Sequence, residues 1–186
     1  MANIGAEAPR KTWIYVLAGV IPAVIILSLS VYVISKAVSD MGNPTSGTRV
    51  TAICISKLGM VAKAQLLYAA DHDDDLPPAN AWIDATWRYA GKKDPGELTE
   101  SVFKCPAVAL RRDGSYGYAF NSELDSKPVS SIADAAGTPL VFDSKALFRN
   151  AAGPPVAAYP DEGRHNRGKD IVVAYANGSV KAQPRK

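Results

Sequence analysis

The feature that most constrains this chain is a run of 23 residues, Trp13 to Ser35, without one charged side chain. At about 1.5 Å rise per residue, a helix of this length spans about 34 Å, enough to cross a hydrocarbon core of about 30 Å. Lipid offers the backbone no hydrogen-bond partners, so such a segment has to be helical. The run predicts one membrane-spanning helix with the lipid bilayer as its partner, and no other segment matches it.

A cleaved signal peptide is the alternative interpretation of this run. Arg10-Lys11 make a basic start, and Ser35-Lys36-Ala37 is similar to a small-x-small cleavage site. The apolar region of a signal peptide is usually only about 7–15 residues long, well short of this one. The length therefore favours an anchor.

The anchor sets the expected domain organisation and location. Positive charges flank the run almost equally, and the short N-terminus is the easier part to keep in the cytoplasm. We predict a single-pass protein of the cytoplasmic membrane with its N-terminus inside. The expected segments are a cytoplasmic N-terminus 1–12, a transmembrane helix 13–35, a linker 36–47, an extracytoplasmic domain 48–182 and a tail 183–186.

Charge argues against one class of partner. The formal net charge is +3, and the basic residues after the apolar run are dispersed apart from the short pairs Lys92-Lys93 and Arg111-Arg112 and a tail ending Arg185-Lys186. Nucleic-acid binding requires a clustered basic stripe with interleaved aromatic residues. No nucleic-acid partner is predicted.

The chain has two cysteines, Cys54 and Cys105. An even pair without a third thiol or metal-ligand spacing indicates one disulfide in an oxidising compartment, which agrees with an extracytoplasmic domain. Such a bridge closes a loop of roughly 50 residues and is worth about 4 kcal/mol in the chain-entropy model. Two buried free thiols are the alternative.

Apolar periodicity predicts helices at the start of the domain. Apolar residues recur every three to five positions over 48–70, which is the pattern of an amphipathic helix. A second, shorter helical pattern covers 82–89. The Asp71–Asp75 cluster followed by Pro77-Pro78 ends the first helix.

Short strands and turns follow these helices. The strand-like segments are 103–106, 116–120 and 140–142, followed by a hairpin of 171–176 and 179–182. Asn177-Gly178 predicts a type I′ turn in that hairpin, because both residues accept positive φ. The expected fold class is α+β: a single N-terminal transmembrane helix, then an amphipathic helix packed on an antiparallel β-sheet.

The order of several short motifs resembles a known family. The motifs are Cys54-Ile55-Ser56-Lys57-Leu58-Gly59, Tyr68-Ala69-Ala70-Asp71, Phe103-Lys104-Cys105-Pro106, Gly114-Ser115-Tyr116-Gly117-Tyr118, Gly163-Arg164-His165-Asn166 and Asn177-Gly178-Ser179. This arrangement is similar to pseudopilin-like proteins with the prepilin-type processing-associated domain, whose C-terminal signature is His, nine residues, then Asp-Gly. The resemblance covers about 50–181 and implies a pseudopilin-like fold with a role in envelope assembly or type II-like secretion.

The family-signature residues in this chain are Arg164, His165, Asn177 and Gly178. Eleven residues separate His165 from Asn177, and Asn stands where the family has Asp. The apolar run also lacks the Glu that enters the membrane helix of prepilins. We therefore expect a pilin-type domain on an ordinary anchor, neither processed by prepilin peptidase nor polymerised as a pilin.

The acidic cluster after the long helix is the candidate ligand site. Asp71, Asp73 and Asp75 alternate, and carboxylate oxygens suit Ca²⁺. Carboxylates near a helix C-terminus oppose its dipole, so a bound cation would compensate them. The alternative is a solvated acidic turn, and apart from Ca²⁺ no cofactor is predicted.

No catalytic signature accompanies the candidate polar residues. Ser115, His165 and Asp143 are available for a Ser–His–Asp arrangement, but there is no nucleophile elbow. We expect Arg164-His165 to order the loop before the last hairpin by hydrogen bonds to backbone or to an acid such as Asp143. The predicted protein is a non-enzymatic, membrane-anchored protein with protein partners in the envelope. The alternative is an extracytoplasmic sensor that uses the acidic turn.

Overall fold

The computed structural model describes residues 25–36, 47–90, 101–109 and 115–185, and the chain divides into two units, 1–44 and 45–186. In the first unit, helix α1 covers Ile25–Lys36 with exposed apolar side chains. The described part of the predicted membrane span is therefore helical. Residues 13–24 of that span and 37–46 of the predicted linker lie outside the described residues.

The second unit begins with the long helix α2, Gly47–Asp71. The helix predicted over 48–70 is confirmed to within one residue at each end. Its buried face, which packs against the rest of the domain, consists of Val50, Cys54, Leu58, Val61, Ala62, Ala64, Gln65 and Ala69.

Helix α2 also corrects the expectation that no segment other than 13–35 is long and apolar enough to span a membrane. Among the described residues, α2 is the one helix that meets this criterion of length and composition. The core helix of a globular domain can meet the same criterion. The buried face of α2, which packs on the sheet, identifies it as such a core helix.

Short helices connect α2 to the sheet. Helix α3, Trp82–Thr86, continues as a 3₁₀ turn, Trp87–Ala90, which matches the predicted second helix. Another 3₁₀ turn, Ser101–Phe103, precedes the one-turn helix α4, Pro106–Ala109. The strand predicted over 103–106 is therefore wrong. Proline has a fixed φ that suits the first helical position, so Pro106 starts a helix at this point.

Five strands form one sheet in the order β3-β1-β2-β4-β5. The strands are β1 Tyr118–Asn121, β2 Pro139–Asp143, β3 Ala152–Gly153, β4 Asp170–Tyr175 and β5 Val180–Pro184. All pairs are antiparallel except β1 and β3, which run parallel. The α+β class is confirmed, and the sheet is mixed where an antiparallel sheet was predicted.

The last hairpin has the predicted strands but a different turn. Within Asn177-Gly178, Gly178 alone has a positive φ, of 82°. The Gly178 amide donates to the Tyr175 carbonyl at 2.8 Å, and the Tyr175 amide donates to the Ser179 carbonyl at 2.8 Å. This is a three-residue connection that ends in a left-handed glycine, so the type I′ prediction is wrong. The Asn177 side chain accepts from the Ser179 amide at 3.0 Å, which fixes the turn.

Both faces of the sheet are covered, because side chains alternate along each central strand. Val172 and Ala174 of β4 face the core that contains α2 and α3. Ile171, Val173 and Tyr175 face a smaller cluster on the other side. A short helix α5, Pro155–Ala158, contributes Ala158 to that second cluster.

Candidate functional site

Four segments bring chemically competent side chains to one buried point. Cys54 lies on α2, Cys105 directly precedes α4, Asp143 ends β2, and His165 lies in the loop before β4. All four are buried. We refer to these four residues as the cysteine–histidine cluster.

The two cysteines contact each other without a covalent bond. Their Sγ atoms are 3.3 Å apart, and both residues are free thiols in the structure. A disulfide has a sulfur–sulfur distance of about 2.05 Å. The structure thus brings together the predicted pair, and the bond itself stays a prediction. The hydrogen bond to Cys54 and burial both raise the pKa of the Cys105 thiol well above its ordinary value.

His165 forms a buried ion pair with Asp143. Its Nε2 lies 3.0 Å from Asp143 Oδ2, and neither side chain is exposed to solvent. The same carboxylate oxygen accepts from the Val172 amide at 2.7 Å. The expected contact of His165 with an acid such as Asp143 is confirmed.

The protonation of His165 follows from this environment. Burial lowers the pKa of the imidazole, but interaction with Asp143 and with Cys105 outweighs burial and raises it to about 9. The two side chains are close but imperfectly aligned, since neither ring nitrogen makes a hydrogen bond of normal geometry. His165 is therefore a charged, incompletely satisfied group within the core.

Arg164 connects the His165 loop to the ends of two strands. Its guanidinium donates to the Gly117 carbonyl at 2.7 Å and to the Ser144 carbonyl. Gly117 has a φ of 82°, and a Cβ there would lie 2.9 Å from Arg164 Nη1. Arg164 and His165 therefore order the loop before the last hairpin, through backbone and carboxylate contacts as expected.

The loop that carries His165 closes tightly on itself. The amides of Arg164 and His165 both donate to the Asp170 carbonyl, and the Asp170 amide donates to the His165 carbonyl. Gly163 packs against this closure. A Cβ at Gly163 would lie 2.5 to 2.6 Å from backbone atoms of Lys169 and Asp170.

Replacing Gly163 by alanine is expected to lower the free energy of unfolding by about 3 kcal/mol, because the clash is with backbone and the loop has to open. Urea denaturation of the purified protein measures the change. The matched control is Gly47→Ala, since no atom lies within 4 Å of a Cβ at that position. The control should change stability by less than about 0.5 kcal/mol. Equal stabilities for the two variants would contradict this account of Gly163.

The structure does not gather the three carboxylates of the predicted calcium site. Among the described residues, the donor set with three or more ligand atoms within 4.8 Å of one another is Cys54, Cys105 and His165. Asp71, Asp73 and Asp75 form no such set. The cation-ligand role inferred from their alternation therefore has no geometric support.

The acidic turn instead makes hydrogen bonds that hold neighbouring segments of the chain in place. Asp74, which was not among the candidate ligands, accepts from the Ser130 amide at 2.8 Å, and hydrogen bonds from Ser130 lower the pKa of its carboxyl. His72 Nδ1 lies 2.8 Å from the Tyr68 carbonyl, in the last turn of α2, and its ring stacks on the Tyr68 ring. These contacts fix the C-terminus of the helix and the loop that pairs with it.

The cluster resembles a catalytic triad, with Cys105 as the nucleophile, His165 as the base and Asp143 as the acid that orients it. Cys105 takes the position that the sequence analysis considered for Ser115. Catalysis requires that the nucleophile reach a substrate. Cys105, His165 and Asp143 are each at most 1% exposed. The arrangement as it stands can hold a proton, a disulfide or an ion, but it presents no reactive atom to solvent.

Sequence reasoning named each cysteine and the histidine but did not place them together. The sequence did place Arg164-His165 directly before the last hairpin, next to a possible acid partner. The contact itself could not be predicted, because positions 54 and 165 are far apart in the sequence and no local pattern links them.

Comparisons with protein-family models, with curated proteins and with solved structures found no match to this chain. The chain is therefore not assigned to a family. Its function has to be inferred from the residues and contacts described above.

Proposed function

We propose that this chain is a single-pass membrane protein whose pseudopilin-like domain lies outside the cytoplasm and acts through protein contacts in envelope assembly or secretion. The observation that carries the proposal is the uncharged run 13–35. Its described part, α1, is a helix whose apolar side chains are exposed. Eleven consecutive exposed residues without a charge, 25–35, are compatible with a lipid environment and costly in water.

The burial of the cysteine–histidine cluster supports a non-enzymatic role. Active sites need a concave surface where substrate meets the reacting side chains. The cysteine–histidine cluster is buried instead, and its two cysteines belong to the core that contains α2. Contacts among these four residues connect α2, β2 and the loop before β4, so the cluster stabilises the fold.

An apolar stripe on the outer side of α2 supports protein contact. Ile53, Met60 and Leu67 are 38%, 41% and 41% exposed. They are seven residues apart, and a straight helix drifts only about 20° in seven residues, so the three side chains lie along one line. Large apolar side chains aligned on a surface are typical of sites that bind another protein.

The interaction role is tested by Met60→Asp, which places a charge in the centre of the stripe. A tagged full-length protein, captured from detergent-solubilised native membranes, should lose at least tenfold in recovery of its partner proteins. The control Ala133→Asp adds the same charge to an exposed loop and should leave recovery unchanged. Both variants should melt like the wild type, because neither position is buried. Undiminished recovery with Met60→Asp would remove the stripe from the proposal.

The membrane topology is tested separately. A reporter that is active only outside the cytoplasm should be active when fused after Lys186 and inactive when fused at the N-terminus. The mature protein should also resist alkaline extraction from membranes. Recovery of a soluble species that starts near Val38 would show a cleaved signal peptide and would end the anchor interpretation.

A further inference from the structure

The donor atoms of the cysteine–histidine cluster have the composition of a metal site. Cys54 and Cys105 each offer a sulfur and His165 offers a ring nitrogen, and the three atoms lie within 4.8 Å of one another. Two sulfurs and one imidazole are the ligands that thiophilic ions such as Zn²⁺ select, whereas hard cations prefer oxygen.

We infer that the reduced form of this protein binds one thiophilic divalent cation, of which Zn²⁺ is the reference, through the sulfurs of Cys54 and Cys105 and one ring nitrogen of His165.

The unsatisfied groups at the cluster support this inference independently of the donor count. Neither ring nitrogen of His165 makes a hydrogen bond of normal geometry, and Asp143 Oδ1 has no hydrogen-bond partner. Buried polar atoms in native proteins are nearly always satisfied, so such a concentration indicates a missing partner. A cation at this point would satisfy a histidine nitrogen and both sulfurs at once.

Asp143 provides the outer partner that metal-binding histidines require, and Arg164 holds the backbone next to it. A ligating imidazole almost always has a carboxylate or carbonyl on its other nitrogen, which fixes the ring. Asp143 Oδ2 lies 3.0 Å from His165 Nε2 and is itself held by the Val172 amide. Arg164 binds the carbonyls of Gly117 and of Ser144, the residue after Asp143, and so fixes the end of the strand that carries Asp143.

The binding step balances in charge and atoms. One M²⁺ enters, two sulfur–metal bonds and one nitrogen–metal bond form, and each thiol releases one proton to solvent. His165 also releases its proton and binds as the neutral imidazole. The two thiolates neutralise the charge of the ion. Binding is therefore expected to tighten as the pH rises.

The metal-bound state and the predicted disulfide exclude each other, because both use the same two sulfur electron pairs. The sulfurs are already in contact at 3.3 Å, so exchange with a small-molecule disulfide RSSR can join them: the Cys54–Cys105 bond forms, the RS–SR bond breaks, and the two protons leave on two RSH molecules. In the reverse direction two RSH molecules reduce the bridge, return both protein thiols and become RSSR. The same four residues thus serve two chemical states, which the redox environment selects.

The test uses the full-length chain in detergent, reduced and then freed of reductant under anaerobic conditions, with Co²⁺ as the optical probe. The wild type should show thiolate-to-cobalt charge-transfer absorption that saturates at one ion per chain and disappears on addition of Zn²⁺. Cys54→Ser, Cys105→Ser and His165→Gln should each weaken binding at least tenfold. Asp143→Asn should weaken it 10- to 100-fold, as loss of an outer partner of a ligand does. His72→Ala changes the other histidine and should bind like the wild type.

The oxidised wild type provides a control that does not depend on the folding of a variant. Non-reducing mass spectrometry should find the Cys54 and Cys105 peptides joined, and this form should show no cobalt absorption. The inference is overturned if the reduced wild type gives no such absorption, or if the oxidised form binds Co²⁺ equally well. Either result leaves the proposed membrane topology and protein contacts untouched, because they are measured by reporter activity and partner recovery.

Discussion

Replacing Trp82 by alanine should lower the free energy of unfolding by about 3–5 kcal/mol, a loss typical of a buried aromatic residue. Trp82 is fully buried at the start of α3. Its ring meets Phe103 edge-on at 5.9 Å between centroids and stacks on Phe120 at 6.3 Å. Its indole N–H donates to the Ala151 carbonyl at 2.9 Å. The substitution therefore leaves a large cavity and removes one of the two hydrogen bonds that the Ala151 carbonyl accepts, the other coming from the Phe120 amide at 3.0 Å.

Chemical denaturation of the two variants Trp82→Ala and Trp82→Phe separates these contributions. Phenylalanine retains much of the volume but donates no hydrogen bond, so its loss should be smaller, about 1–3 kcal/mol. Equal losses for the two variants would show that the hydrogen bond, and not the packing, accounts for the role of Trp82.

The stability of the domain should fall as the pH rises through neutrality, because of His165. The pKa of His165 is raised from 6.5 to about 9 by Asp143 and Cys105 against the opposing effect of burial. The folded state therefore holds this proton more tightly than the unfolded state does. A raised histidine pKa gives stability that is fully present below pH 6.5 and is lost up to about pH 9. The full loss is about 3 kcal/mol, of which about 2 kcal/mol is gone by pH 8.

Urea denaturation of the metal-free protein at pH 5.5 to 8.0 measures this loss. The upper limit keeps the experiment below about pH 8.5, where unfolded cysteine thiols begin to ionise and add a loss of the same sign. His165→Gln should have nearly constant stability over this range, whereas His72→Ala should follow the wild type. A wild-type stability that stays level or increases with pH would contradict a charged His165 in the folded state.

The elements that sequence could predict are those whose signal is local. The apolar period of α2 is contained within the helix itself, and the prediction over 48–70 is within one residue of Gly47–Asp71 at each end. The strands of the last hairpin were also predicted, because two apolar runs flank a turn dipeptide. The turn type was not, because it depends on the backbone angle of Asn177, which its own side chain adjusts by accepting from Ser179.

Features that depend on distant partners were missed or misread. The segment 103–106 has the composition of a strand, yet the Cys105 amide makes one bond to the Tyr116 carbonyl and the chain then enters α4. The parallel pairing of β1 and β3 involves a strand of two residues, too short for any periodicity. The alternation of carboxylates suggested a cation site, but positive φ at Asp73 and Asp74 bends the turn and directs it toward the loop at Ser130.

Of the candidate site, sequence provided the residue types but not their association. Two cysteines favoured a disulfide by number alone, and His165 was assigned to loop ordering with an acid such as Asp143. The cysteines and His165 form one cluster because α2 packs against the sheet. This packing places Cys54 beside residues more than 50 positions away.

The two outer strands of the sheet limit how this domain can meet another chain. At one edge, β3 has two residues and is followed directly by Pro154 and Pro155. At the other edge, β5 carries Lys181 and ends at Pro184, which has no amide hydrogen to donate. Short strands, lysine and proline are the devices by which proteins prevent edge-to-edge β-aggregation. Strand addition at either edge is therefore disfavoured, and we expect a partner to recognise side chains, so that its affinity depends on residue identity more than on backbone pairing.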